Sequence, residues 1–373
     1  MTSKTTREDT TPAHSPARSP APRGRAEAPR LSIMPRAAGQ ESRGVRRGLQ
    51  IALGLIWLLD AALQFQPYMY SRSFVSQVLD PTAVGNPAVF ASPALWADRL
   101  MSHNLPVWNT ASALTQLAIA VGLLWRPTVK AALAVSVVWS LAVWWVAEGL
   151  GGVLTGTASP VTGAPGAVIL YALIAILVWP RRSGAGNNGP GRGGVAAASP
   201  LGRRWSTAAW LVLWASFAYL ILQPAVRAPR ALSGYLAGEA ADGPGWLAAL
   251  DRGAAAATGS HGLAISVALA IVFVCIAAGI LLPATARPAL ALAMVAGLAI
   301  WVAGENFGEI LTGTGTDLNS GPLLILLAAA YWPLRPKISP HPGTADLASR
   351  RLTGGRPAES GGEERAAHQH GCS

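Results

Sequence analysis

The sequence predicts an all-α polytopic membrane protein whose eight transmembrane helices form two parallel four-helix repeats. Three observations predict it. Hydrophobic residues make up 51% of the 373 positions and charged ones only 13%, with the charges clustered between long uncharged runs, a membrane composition rather than a nucleic-acid-binding one despite the net charge of +11. A segment is repeated: Glu148, Gly151, Leu154, Thr155, Gly156 and Thr157 recur as Glu305, Gly308, Leu311, Thr312, Gly313 and Thr314, each 157 residues later. Basic residues fall in alternate connections, as the orientation rule for membrane helices requires.

A spanning helix needs about 20 apolar residues to cross roughly 30 Å of hydrocarbon. On that criterion spans are expected near 48–66, 105–125, 130–148 and 164–180, and again near 205–223, 262–283, 287–305 and 320–334. Residues 1–47, rich in Pro, Ser, Ala and Arg, form a basic disordered cytoplasmic tail, with no apolar stretch of signal-peptide length before the first span. The repeats occupy 48–180 and 205–334. Residues 181–204 are a cytoplasmic linker and 335–373 a second disordered tail. Arg126, Lys130, Arg181, Arg182, Arg203, Arg204, Arg287, Arg335 and Lys337 then all lie on one side, so both termini are expected in the cytoplasm of a bacterial-type cell with the chain in its inner membrane. An even number of spans per repeat gives the repeats one orientation.

Other pairs keep the offset, including Trp57 with Trp214, Gln66 Pro67 with Gln223 Pro224, Gly122 with Gly279, and Pro165 with Pro322. The 14 Trp are explained by anchoring at the membrane boundary, several standing near span ends. Cys275 and Cys372 have neither a disulfide framework nor metal-ligand spacing around them.

Glu148 and Glu305 are the foremost candidates for a ligand or ion site. Each ends a span at the outer side, where the helix dipole is already negative, so each carboxylate needs a partner. Arg72, Arg99 and His103 are available in the first half, and Arg227, Arg230, Arg252 and His261 in the second. Ser102 and Ser260 suit an N-cap ahead of His103 and His261, and each histidine stands where it could pair with the glutamate of its own half. Two ligands make no zinc site, and no metal is expected. The last span of each half has only about 14 apolar residues and reaches roughly 21 Å. The loops carrying Thr155 and Thr312 are therefore expected to dip into the bundle from outside. The first half also places Asp60 and Gln64 one turn apart, with Asn109, Ser112 and Gln116 on one face of the second span, where the second half has Phe217, Ile221, Ser266, Leu269 and Phe273. A polar cavity is expected in the first half, with Asp60 either functional or bonded to Gln64. Glu309, Asp317 and Asn319 join Glu305 in an acidic outer loop that either attracts cations or is simply solvated.

Each half resembles the DoxX-like family of four-helix membrane proteins. The likeness lies in an amphipathic stretch after the first helix and in Val121 Gly122 Leu123 Leu124 Trp125 Arg126 Pro127, echoed by Ala278 Gly279 Ile280 Leu281 Leu282 with Arg287 Pro288. It implies a redox-accessory or quinone-interacting role, with quinone the cofactor it suggests, while the Glu-x-x-Gly-x-x-Leu-Thr-Gly-Thr loop departs from the family pattern and no catalytic residue carries over. The repeats and broken segments point instead to a small-solute or ion transporter, and a structural partner of another membrane protein is the third alternative. No soluble catalytic domain fits, and no Ser/His/Asp, phosphate-loop or dinucleotide motif is placed to act, which leans against an enzyme. Membrane lipids are the expected partners and nucleic acid is not.

Overall fold

A computed structural model describes residues 34–180, 194–240 and 244–334, with side chains from residue 43 onward. The expected tails at 1–33 and 335–373, and residues 181–193 of the linker, lie outside the described residues. Among the described residues every regular element is a helix. In chain order these are α1 (Met34–Leu63), the single turn α2 (Arg72–Phe74), α3 (Ala88–His103), α4 (Leu105–Leu124), α5 (Val129–Val146) and α6 (Ala167–Leu177), followed by α7 (Gly194–Ala197), α8 (Gly202–Ile221), α9 (Ala231–Glu239), α10 (Gly245–Thr258), α11 (Gly262–Gly279), α12 (Ala286–Ala299) and α13 (Ser320–Tyr331).

Two expected boundaries move. The first helix begins at Met34, well inside the stretch expected as tail. The linker ends in α7, whose Val195 and Ala196 are buried, because a short run of small apolar residues can plug a gap among larger helices.

Four helices are long and apolar enough to cross a membrane: Leu105–Leu124, Arg126–Val146, Gly262–Gly279 and Ala286–Gly304. No more than 33% of any of them is buried within the chain. Their outward faces carry Val121, Val138, Ile271, Val274 and Val295, all more than half exposed. A helix that is apolar on its open side needs a non-aqueous surrounding, so the protein is membrane-embedded. The long helices α1 and α8 are less apolar, starting from Arg43, Arg46, Arg47 and from Arg203, Arg204.

The short helices α6 and α13 pack against each other at the centre. Nearly all their residues are buried, among them Leu170, Tyr171 and Ile174 of α6 and Leu323, Leu324 and Leu327 of α13. A helix of 11 residues spans about 17 Å, too little to cross alone, and the surrounding helices shield its ends. Around this centre α1 packs on α4, α4 on α5 and α5 on α6, while α8 packs on α11, α11 on α12 and α12 on α13.

The turns between α4 and α5 and between α11 and α12 are alike. Thr128 Oγ1 donates to Gly122 O at 2.8 Å and Thr285 Oγ1 to Gly279 O at 2.7 Å. Ala132 and Ala289 press on those glycines so closely that a Cβ there would collide with them, which gives the small residue in the family-like motif its physical reason. Tryptophan is used in two ways. Trp125 and Trp205 are exposed near helix ends, whereas Trp57, Trp210 and Trp214 are fully buried core residues, so boundary anchoring does not explain all fourteen.

Candidate functional site

The glutamates of the duplicated segment meet backbone, not arginine. Glu305 is 5% exposed. Its Oε1 accepts from Ser320 N at 3.0 Å and from Ser320 Oγ at 2.5 Å, and its Oε2 accepts from Gly321 N at 3.0 Å. These are the first N–H groups of α13, which lack partners within their own helix and carry the positive end of its dipole. Glu148 does the same for α6. Its carboxylate faces the N–H of Val168, and a Cβ on Gly166 would fall on it. Oε2 of Glu148 is buried without a hydrogen-bond partner among the described residues.

The expected histidine partners are not brought here. His103 and His261 are both exposed. Pro106 in the first turn of α4 makes Asn104 the N-cap, so His103 ends α3 instead of opening the next helix. Ser102 Oγ turns back to Arg99 O at 3.1 Å, and neither helix has a side-chain cap bond. The expected serine caps and His–Glu pairs are therefore corrected. Among the described residues no group of three His, Cys, Asp or Glu side chains could hold a metal ion.

After each glutamate the chain makes a left-handed turn. Gly149, Leu150, Gly151 and Gly152 all have positive φ, as do Asn306, Phe307, Gly308 and Glu309 at the same offset. A run of four is rare, because the left-handed region costs roughly 1–2 kcal/mol for each residue with a Cβ. Gly151 and Gly308 are the glycines common to both turns, and a Cβ on either would press on a backbone carbonyl, that of Pro165 or of Asp317. The threonines that follow are used up locally. Thr155 Oγ1 lies 2.7 Å from both Gly152 O and Thr157 Oγ1, and Thr312 Oγ1 lies 2.7 Å from Glu309 O and 2.5 Å from Thr314 Oγ1. Thr155 and Thr312 thus hold their own turns. The turns are also tied to the segments between the long helices: Asn86 Nδ2 donates to Gly149 O at 3.1 Å and Tyr235 OH to Gly304 O, just before the second turn, at 2.6 Å.

The polar residues expected to line a first-half cavity instead grip the second loop. Asp60, 1% exposed, accepts from the Tyr171 hydroxyl and, through Oδ1, from Leu318 N at 3.1 Å. Gln64 Nε2 donates to Thr316 O at 3.0 Å, Gln66 Nε2 to Gly315 O at 2.9 Å, and Asn109 Nδ2 to Gln64 O at 2.7 Å. The Asp60 carboxylate is therefore not bonded to the Gln64 side chain, and the two residues share only the helical bond from Gln64 N to Asp60 O at 3.0 Å. Gln116 is partly buried, with Oε1 unpartnered among the described residues. In the other direction Leu220 of α8 packs against Val153, Ala158 and Ala164 of the first loop. Gly163 touches the Glu305 carboxylate and Val161 touches Gly304. The matched prolines are not structural equivalents, since Pro165 precedes the N-cap of α6 while Pro322 lies inside α13.

Asp317 was legible only as one acid of an outer loop, yet it stands next to Leu318, whose N–H donates to Asp60 Oδ1 at 3.1 Å. Burial raises the Asp317 pKa, bonds from Asn319 N and Thr316 Oγ1 lower it, and the charge of Glu309 raises it again. Glu239 at the end of α9 is likewise raised, by burial and then by Glu309, against bonds from Tyr235 and Asn306. Tyr171 is the residue sequence reasoning missed. Its signal was a lone phenol in the apolar run Ala167–Leu177, since a buried tyrosine hydroxyl needs a partner. No family model, no curated protein and no solved structure matches this chain.

Proposed function

We propose that this protein is a proton-coupled transporter of a small solute or ion, built of eight membrane helices in two parallel four-helix repeats. In this reading it lies in a bacterial-type inner membrane with both termini in the cytoplasm. The observation that carries it is the placing of buried carboxylates at the N-termini of two short central helices and across the halves: Glu148 lies against the start of α6, Glu305 accepts from the first N–H groups of α13, and Asp60 accepts from Leu318 N, next to Asp317. Ionisable groups inside a membrane protein are costly and mark ion or proton paths, and short helices ending mid-bundle are where such sites form. The carboxylates do not converge as a metal cage does, and a proton needs only one of them at a time. Protonation of Asp60 would release its hold on Leu318 N and loosen one half from the other, while protonation of Glu148 would loosen the start of α6 within the first half.

The test is flux in proteoliposomes under an imposed pH gradient, across a panel of small solutes and ions. Asp60→Asn and Glu148→Gln should each reduce coupled flux about tenfold while the protein still folds, in line with the value of an intramembrane charge. Flux by the unaltered protein that ignores the gradient would end the proposal. A quinone retained through purification, with an electron-transfer defect on deletion, would favour the redox role that the DoxX-like resemblance implies. For topology, Leu154→Cys and Leu311→Cys place labels on exposed loop positions. Both should react from the same side of the membrane.

A further inference from the structure

Arg46 and Arg47 stand more than three turns inside α1, and Arg203 and Arg204 stand 157 residues later at the start of α8. The first pair is consumed. Arg47 Nη1 donates to Leu123 O at 2.8 Å and Nη2 to Leu124 O at 2.5 Å, closing the last carbonyls of α4, while Arg46 Nη2 donates to Ala198 O at 3.1 Å. Gln50 completes the seal by donating to Val178 O at 2.9 Å.

At the second place no such bond from Arg203 or Arg204 closes a helix end among the described residues. Ile280 and Leu281 occupy the places of Leu123 and Leu124, but α11 already ends at Gly279, so they lie beyond the helix. Thr207 replaces Gln50 and is too short to bridge. The result is a cavity of about 530 Å³ lined by Arg203, Arg204, Thr207, Ile280, Leu281 and Leu290. Both arginines are exposed. The Tyr331 hydroxyl, bonded to Ser206 O at 2.5 Å, forms part of its wall.

We propose that this cavity binds the phosphate headgroup of an anionic phospholipid, with an acyl chain running along Ile280, Leu281 and Leu290. The two guanidinium groups match a phosphate, since arginine presents paired donors to its oxygens. The aliphatic lining matches hydrocarbon, which free phosphate would not need, and a zwitterionic lipid gains less from two cations. Basic pockets between membrane helices are suited to anionic headgroups, and the volume lies in the range of small-molecule sites. The inference rests on membrane embedding alone and not on the transport reading.

The test uses the full chain purified in mild detergent and equilibrated with phosphatidylglycerol or phosphatidylcholine, with bound lipid counted by native mass spectrometry. Phosphatidylglycerol should be retained in preference. Arg203→Gln with Arg204→Gln should weaken retention about tenfold, Arg204→Lys less, and Arg126→Gln, on the exposed α4–α5 turn, not at all. Leu281→Trp, which fills the apolar wall, supplies a second variant should the arginine pair prove necessary for folding, and it should also expel the lipid. Equal retention of both lipids, or loss of neither variant's lipid, overturns the assignment. Displacement by millimolar inorganic phosphate would assign the site to free phosphate instead. Binding that emerges only when residues 335–373 are removed would make that segment the occupant. Retention by Asp60→Asn, whatever its flux, keeps this inference separate from transport.

Discussion

Trp57 Nε1 donates to Ser136 Oγ at 3.1 Å inside the first half, and both residues are buried. At the same offset Trp214 and Ala293 are both buried in the core, and the Trp214 indole N–H has no partner among the described residues. An unpaired buried donor costs about 1–3 kcal/mol. Ala293→Ser should therefore raise the thermal midpoint in detergent, and Ser136→Ala should lower it. A drop on Ala293→Ser would mean that the site is too tight for an added oxygen.

Asp60 should tolerate one substitution and not another. Asp60→Asn keeps one carbonyl oxygen for Leu318 N and presents an NH2 that the Tyr171 hydroxyl can accept by turning round, whereas Asp60→Leu strands both donors. The leucine variant should lose about 2–6 kcal/mol, two unpaired groups at roughly 1–3 each, and the asparagine variant far less. Thermal unfolding of the two variants side by side checks this. Equal midpoints would remove Asp60 from the contact between the halves.

The shared turn glycines make a graded prediction. Gly151→Ala and Gly308→Ala add both left-handed strain and a Cβ against a carbonyl. Gly156, at φ +75° with nothing within 4 Å of an added Cβ, meets the strain alone, roughly 1 kcal/mol. Gly156→Ala should lower the midpoint modestly, while the other two should impair folding as read by expression and monodispersity.

Stability should fall as pH rises. Burial holds the Asp317 pKa above its ordinary value in the folded chain. Between the unfolded and the folded value the folded state binds more protons, so the sign is fixed: stability is greatest below the ordinary carboxylate range and declines as pH climbs through the raised value. Thermal midpoints measured from mildly acidic to mildly alkaline buffer should decrease. Asp317→Asn should flatten that slope, and an unchanged slope would assign it to other groups.

The sequence was most informative where it repeated itself. Glu148 and Glu305 stood out because each keeps its place before a shared glycine, and the four helices long and apolar enough to cross a membrane lie where hydropathy put them. Their partners were hidden because a helix N-terminus is not a residue type: Ser320 N and Gly321 N carry no side-chain signature. His103 misled because capping was argued from Ser102 alone, although Pro106 sets the helix start two residues later. The divergence of Asp60 and Gln64 from Phe217 and Ile221 was visible, but not its reason. One half holds the other's loop by polar bonds, and the reverse contact is made by apolar packing at Leu220.

The bond from Leu318 N to Asp60 closes across 258 residues, which has a consequence for biogenesis. While the ribosome is still making the second half, the aspartate lacks that partner, and the first bundle must wait with an unfilled acceptor in its interior. Assembly therefore finishes only when the last helix arrives, and two fragments cut between α6 and α7 should find each other when co-expressed.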